Sequence, residues 1–285
     1  RSEARSVFAQ VDYALSDALS ATLGVNYTED EKQVRSDVTI TDPFATLPLA
    51  GTPFAGLQPF QLFRAFRNYP NADESGVFES DEVTYTARLI YDVSDQLNVY
   101  VGTATGFKAA SVNLTVDGRG GDIGRIAGPE KAELFEIGLK AQFDRGHVNV
   151  ALFDQSIKGF QSNAFNGLGF NLVNAGQQTH RGLEFSGMLR LTDHWRFDMS
   201  GMWLDAEYDS FALGACDTSR TGAAADDCPP GQPFVDLSGR TPAGIHEISL
   251  NANTTFDFEL TSGIDGFVRL EYVYEDEIQV VDNVA

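Results

Sequence analysis

Four histidines, two cysteines and a pair of arginines set among aromatics are the side chains whose types could do chemistry, and their spacing decides which can act together. His180 and Glu184 would share one face of an extended segment. Four residues of strand separate them by about 13 Å at ~3.3 Å per residue, too far for a direct acid–base pair. His147 and His194 fall at turns, and His246 takes the parity of apolar Ile248. No metal-ligand spacing, phosphate-binding loop or nucleophile elbow occurs. The pattern points away from an enzyme, and no cofactor is expected.

Cys216 and Cys228 flank "DTSRTGAAADD", a polar segment that reads as loop. Two cysteines this close suggest an oxidising compartment and a disulfide contributing about 3 kcal/mol at that loop size. Two unpaired thiols are the alternative; with no histidine nearby they make a weak zinc site.

The loop from Pro43 to Asn71 carries Phe44, Phe54, Phe60, Phe63, Phe66 and Tyr69, with only Arg64 and Arg67 charged, in an otherwise acidic chain. An exposed loop this apolar either buries its aromatics or uses them to bind. Phe60, Phe63, Arg64, Phe66, Arg67 and Tyr69 are therefore candidate ligand contacts. A self-packed loop or a short amphipathic helix capping the fold is the other reading.

The elements that must position these residues follow from a period of two. In "LFEIGLKAQFDRGHVNVALF", Phe135, Ile137, Leu139, Ala141 and Phe143 share one face, and Glu136, Gly138, Lys140 and Gln142 the other. Across Asp144-Arg145-Gly146 the alternation resumes with Val148, Val150 and Leu152. Similar pairs lie on either side of Ser16-Asp17-Ala18, Ser94-Asp95-Gln96 and Thr192-Asp193-His194, and a last pair occupies 246–277. The result is about ten long amphipathic strands with no helical period between them, an all-β meander.

Composition separates the surroundings such strands could have. The 285 residues carry 41 acidic and 20 basic side chains, a formal net charge of -21. Such a balance argues against nucleic acid, whose phosphates need clustered Lys and Arg. No apolar run is long enough for a transmembrane helix, but a β-barrel hides its membrane signal inside the alternation. Short turns after the first, third, fifth, seventh and ninth strands alternate with longer links, chiefly near 40–76, 114–130 and 209–239, with a lesser one at 163–169. That is the asymmetry of an outer-membrane barrel, whose periplasmic turns are short and whose outer loops are long. Tyr13, Tyr27, Tyr91, Trp195, Trp203, Tyr272 and Tyr274 are candidates for its interfacial girdles. A soluble β-sandwich or solenoid is the alternative, but its strands are usually shorter. With short turns periplasmic, both ends of the chain fall on the long-loop rim, which suggests an internal piece of a longer barrel. The opening "RSEARSVFAQVDY" carries no signal-peptide pattern.

The stretches "YVGTATGFKAASVN", "GPEKAELFEIGLKAQF", "VNVALFDQSIKGFQ", "LVNAGQQTHRGLEFSGMLRL" and "GFVRLEYVY" resemble, in order and spacing, the barrel half of a TonB-dependent receptor. The matching residues are Gly106-Phe107-Lys108, Pro129-Glu130, Glu136 with Gly138 and Lys140, Asn174-Ala175-Gly176, and Gly182 with Glu184. Ala110 departs from the family, which often has Gly or Pro there. The resemblance implies a transmembrane antiparallel barrel of 22 strands, of which this chain holds about ten, with neither plug domain nor TonB-contacting box in view. It also implies a monomer in the Gram-negative outer membrane, coupled through the plug to TonB, that imports a scarce chelate such as an iron-siderophore. Arg64 and Arg67 would suit an anionic chelate. Physical reasoning gives the motif residues mostly structural work: Phe107 in the outer girdle, Lys108 inward near the mouth, Glu136, Lys140 and Glu184 facing the lumen, and Gly138, Gly176 and Gly182 where the backbone approaches closely or bends. The alternatives are a complete ten-stranded barrel acting as a surface protease, and a passive porin.

Overall fold

The computed structural model describes residues 1–36, 43–66, 74–113, 126–165, 170–174, 176–215, 234–261 and 263–280. The strands are β1 (Ser2–Ala14), β2 (Leu19–Ser36), β3 (Glu74–Ser94), β4 (Leu97–Lys108), β5 (Ser111–Val112), β6 (Ile126–Ala127), β7 (Glu130–Phe143) and β8 (Gly146–Lys158). They continue with β9 (Gln161–Phe165), β10 (Phe170–Asn174), β11 (Gln177–Arg190), β12 (Trp195–Ser210), β13 (Gly214–Ala215), β14 (Phe234–Val235), β15 (Ile248–Thr261) and β16 (Ile264–Glu275). Ten of them form one antiparallel meander in the order β1-β2-β3-β4-β7-β8-β11-β12-β15-β16. Its edges are β1 and β16, so the sheet is open; a closed ten-stranded barrel, which the protease reading requires, would pair these two strands.

Three of the tight turns share one chemical device. The Ser16 hydroxyl accepts from the backbone N–H groups of Ala18 (3.3 Å) and Leu19 (3.1 Å), Ser94 Oγ from Gln96 N–H (3.2 Å), and Thr192 Oγ1 from His194 N–H (3.2 Å). A hydroxyl two residues before a free N–H mimics a backbone turn and fixes the hairpin there. Register then follows, because a slip of one residue would turn every apolar side chain to the other face.

That apolar face is solvent-exposed. Val7, Tyr27 and Val83 lie opposite one another in one row across β1, β2 and β3, and Leu152, Leu183 and Trp203 form a row across β8, β11 and β12. Phe135, Ile137, Leu139 and Phe143 are all exposed, as are Trp195, Phe256, Leu270 and Tyr272. On β1, β2, β3, β7, β11 and β12 the outward apolar run lasts roughly nine to eleven residues, the span of a transmembrane strand, and stops at a charge. Arg5, Glu29 and Asp81 follow the first row, and Arg181 and Asp205 follow the second. Aromatics stand at the margins with their polar ends satisfied, Trp195 Nε1–H donating to Thr254 Oγ1 (2.6 Å) and Trp203 Nε1–H to Glu247 (3.2 Å). No helix among the described residues is long and apolar enough to cross a membrane; the strands make the crossing.

The longer links hold structure that alternation alone does not announce. Ala55–Phe66 is a 3-10 helix, preceded by a single turn at Phe44–Thr46. The pairs β5–β6, β9–β10 and β13–β14 are short antiparallel hairpins in the links after β4, β8 and β12. The three largest fully buried side chains, Tyr208, Phe211 and Leu237, gather at this rim, Tyr208 near the end of β12 and the other two in the link that follows it.

Candidate functional site

The inner face of the sheet is concave, with a cavity of about 540 Å³ whose lining includes Tyr100, Glu136, Asn149, Glu184, Asn251 and Glu275. The even-numbered half of "EIGLK" builds a seat for Tyr100 there. Tyr100 pairs directly with Gly138, and a Cβ on that glycine would stand 2.6 Å from the phenol ring, so only glycine lets the ring lie across the strand. The ring has the Lys140 ammonium 5.6 Å from its centroid and the Arg88 guanidinium at 5.3 Å, both within cation–π range. Glu136 lines the same cavity as the ring. The same arrangement recurs two strands on, where Phe153 covers Gly182, its directly paired neighbour. Covering a strand glycine with a cross-strand aromatic restores the packing that the missing side chain gives up.

Above the sheet, the motif residues that sequence treats as separate meet in one polar knot. Lys108 Nζ donates to Glu130 Oε1 (2.9 Å), and the same oxygen accepts the backbone N–H of Gln161 (2.6 Å). The Gln161 side-chain amide donates to the carbonyls of Ala109 (3.0 Å) and Gly128 (2.8 Å), and its Oε1 accepts from Ser111 Oγ (2.6 Å). Asn174 Oδ1 accepts from Gly128 N–H (2.7 Å), while its Nδ2 donates to the Gly128 (3.1 Å) and Gly159 (2.6 Å) carbonyls. Gln161 is only 8% exposed, a fully partnered amide, which is the condition under which a buried polar network rigidifies its surroundings. Gly159 takes φ +67° and would bring any Cβ to 3.0 Å from the Pro129 carbonyl oxygen. Sequence reasoning missed Gln161 because one glutamine in a link has no periodicity to expose it.

Beside the knot lies an apolar core. Tyr208, Phe211 and Leu237 are 2%, 1% and 1% exposed, and the Tyr208 ring lies 4.9 Å from Phe211 and 6.5 Å from Phe160, centroid to centroid. A bulge at Asp209 sets this corner: Gln177 faces Ser210 and Gln178 faces Tyr208, and the Asp209 carboxylate accepts from Gln177 Nε2 and Thr179 Oγ1, both at 2.6 Å. Phe211 N–H donates to Ser238 Oγ (3.0 Å), whose hydroxyl donates to Asp236 (2.6 Å). The two hydrogen bonds from Ser238 hold the Asp236 carboxyl below its ordinary pKa.

The remaining predicted residues are scattered. Phe60 sits on the 3-10 helix at 52% exposure; Phe63, Arg64 and Phe66 lie in that helix, and their side chains lie outside the described set. Arg67, Tyr69, Ala175, Cys216 and Cys228 lie outside the described residues. Phe107 pairs with Lys131, above the row where outward charge begins at Glu133, so it stands higher than the girdle position that parity suggests; β4 has parted from β3 beyond Ala104. His180 faces Gln155 and Ala206, and Glu184 faces Ala151 and Met202, two rows apart on one face. His246 lies just before β15, its Nδ1 2.7 Å from the Asp276 carbonyl oxygen. Among the described residues no group of three or more His, Cys, Asp or Glu is placed to hold a metal ion.

The family model for the TonB dependent receptor-like β-barrel matches residues 1–284. Among solved structures, the siderophore receptor PiuA from Acinetobacter baumannii aligns over 97% of this chain and 34% of its own, with a TM-score of 0.66 at 17% identity. The ferric yersiniabactin uptake receptor FyuA from Yersinia pestis aligns over 95% and 33%, with a TM-score of 0.62 at 16% identity. The copper transporter OprC aligns over 90% and 33%, with a TM-score of 0.55 at 12% identity. The chain thus spans about a third of the length of each, and at these identities the likeness is one of fold.

Proposed function

The chain belongs to the TonB-dependent receptor β-barrel family, and from that premise we propose that it is part of the barrel of an outer-membrane active transporter for an anionic chelate, a ferric siderophore first. The observation that carries this reading is the two-faced sheet. Its outward rows are apolar for the depth of a bilayer and its concave face holds Tyr100, Glu136, Glu184 and Asn149, as a wall between lipid and an aqueous lumen must. In a Gram-negative outer membrane the turns at Ser16, Ser94 and Thr192 face the periplasm and the links bearing the 3-10 helix and the three short hairpins face outside. The wall cannot gate itself; a plug within the lumen, acting through TonB, supplies the movement, and a single barrel suffices as the unit.

A siderophore is favoured by the loop composition. Phe54, Leu57 and Phe60 are exposed on or beside the 3-10 helix, and Arg64 and Arg67 follow in sequence. Aromatic surface with guanidinium nearby suits a planar, anionic metal chelate. The test is accumulation of radioiron, supplied as a siderophore complex, by cells carrying the complete receptor in a strain stripped of its own. Uptake is expected only where TonB is present, and the double substitution Arg64→Gln with Arg67→Gln is expected to weaken it at limiting ligand. TonB-independent uptake would favour a passive pore, and full uptake by the double variant would remove the arginines from the ligand site.

A further inference from the structure

The wall of long strands divides near the rim that carries the long links. β3 and β4 pair from Ser94 and Leu97 as far as Thr86 and Ala104 and no further, although β3 continues along β2 to Glu74 and β4 continues along β7 to Lys108. The break has a local cause: a side chain takes the next ladder bond, Thr105 Oγ1 accepting the Tyr85 N–H (2.9 Å). Beyond it the chain leaving β4 is drawn to the inner side of β3. There the Ala110 N–H donates to Ser80 Oγ (3.2 Å) and the Ala110 carbonyl accepts from Lys32 Nζ (2.7 Å), and both side chains have inner-face parity. Lys131 on β7 also reaches across the break, to Glu82. Backbone groups two residues apart in a strand point the same way. Those of Val83, Asp81, Glu79 and Val77 therefore follow Tyr85 toward the break, where they have no ladder partner among the described residues.

We propose that this free edge of β3 is a docking site for an extended, cationic segment of another polypeptide, which adds to the sheet as an antiparallel strand in the place β4 vacates. The edge runs about 20 Å from Val77 to Val83 at ~3.3 Å per residue, a template for main-chain pairing, and no Pro or Lys blunts it between Gly76 and Tyr85. Charge selects the occupant. The outward side chains at the edge include Glu79 and Asp81, and the ladder sets them directly opposite Glu31 and Glu29. Like charges directly opposite destabilise a sheet, yet none of these carboxylates forms an ion pair among the described residues; Arg5, one strand further from the edge, is bound to Glu3. They line a groove of about 410 Å³. A strand with Lys or Arg at alternate positions sets its cations over these carboxylates while its backbone completes the ladder; an acidic strand is repelled, and a neutral one gains the ladder alone. The inference rests on the reading that this rim faces outside the cell.

The probe is a fluorescent peptide alternating Lys and Thr, titrated against the complete receptor in detergent micelles at moderate salt. Saturable binding is expected, together with slowed hydrogen exchange at the amides of Val83, Asp81 and Glu79. A lysine directly opposite Asp81 shares both its outward face and its hydrogen-bonding direction. Methylating the backbone nitrogens of the peptide's lysines should therefore abolish binding, and methylating those of its threonines should leave it intact. Glu79→Gln with Asp81→Gln should weaken binding by at least about five-fold. Equal binding of the two methylated peptides means adhesion by charge alone and overturns the proposal, as does the absence of binding. Amides of Val83, Asp81 and Glu79 already protected in the free receptor, by its own chain or by a second copy, overturn it too. The same titration on intact cells separates the orientation: binding that distinguishes parent from double variant in micelles but not on cells leaves the docking edge standing and overturns the outward placing of this rim.

Discussion

Leu139 in the sheet and Leu237 at the rim are the same residue in opposite circumstances. Leu139 is paired within three adjacent strands and still exposed; Leu237 lies in an irregular link and is 1% exposed. In a water-soluble protein the regular element would carry the core and the loop would be wet. Here the sheet's hydrophobic residues find their solvent in lipid, so no second layer is needed, whereas the long links lie beyond the apolar rows and must build a core of their own. The family's barrel is thus two folding problems on one chain, a wall solvated by hydrocarbon and a rim that behaves like a small globular domain.

The difference can be broken at either end. Tyr208→Ala should have the largest effect, about 3–5 kcal/mol for loss of a large buried aromatic. Tyr208 stands at the rim end of β12, so exchange at Leu237 and Gly239 should rise steeply while the amides in the sheet's apolar rows hold. Leu139→Arg, near the middle of the outward run on β7, should cost about 2–4 kcal/mol when folding into lipid vesicles is titrated with denaturant. A variant that folds as well as the parent would mean that this face does not meet hydrocarbon. The inner face lies between the two extremes. Gly138→Ala must displace the Tyr100 ring and should cost about 1–3 kcal/mol by the same titration, with part recovered when Tyr100→Ala is added; no recovery would show that the ring is not what the glycine accommodates. Smallest of all, Arg181→Gln removes the exposed pair with Asp154 (2.7 Å), and no measurable shift of the folding midpoint is expected in moderate salt.

What could be read directly from sequence divides along the same line. The ten strands, their tight turns and their lipid-facing parity were legible because a period of two is local information: Phe135, Ile137 and Leu139 announce their face without reference to any partner. The seat of Tyr100 was half legible. "EIGLK" stands out as a motif, but the side chain it accommodates comes from another strand, about 38 residues earlier by the register, and pairing at that distance leaves no local trace. The rim was the least legible. Gln161, Asn174, Phe160 and Tyr208 acquire their meaning only when three links converge, and the Ala55–Phe66 helix contains Pro59, which blurs helical periodicity. The aromatic loop was conspicuous for composition alone, and composition does not say which side chains meet.

The divergence of Phe160 and Gln161 also constrains how this chain can change in length. Outer loops ordinarily tolerate insertion and deletion well, since closing a slightly longer loop costs little. One added residue between Lys158 and Phe160 would push Phe160 into the place of Gln161, offering a phenyl ring to the carbonyls of Ala109 and Gly128 and taking the ring away from the aromatic core. Such indels should be selected against at this junction and accepted at the hairpin tips, so grafts of foreign epitopes or affinity tags into this link belong beyond Phe165 and before Phe170, where the register of the dipeptide is left intact.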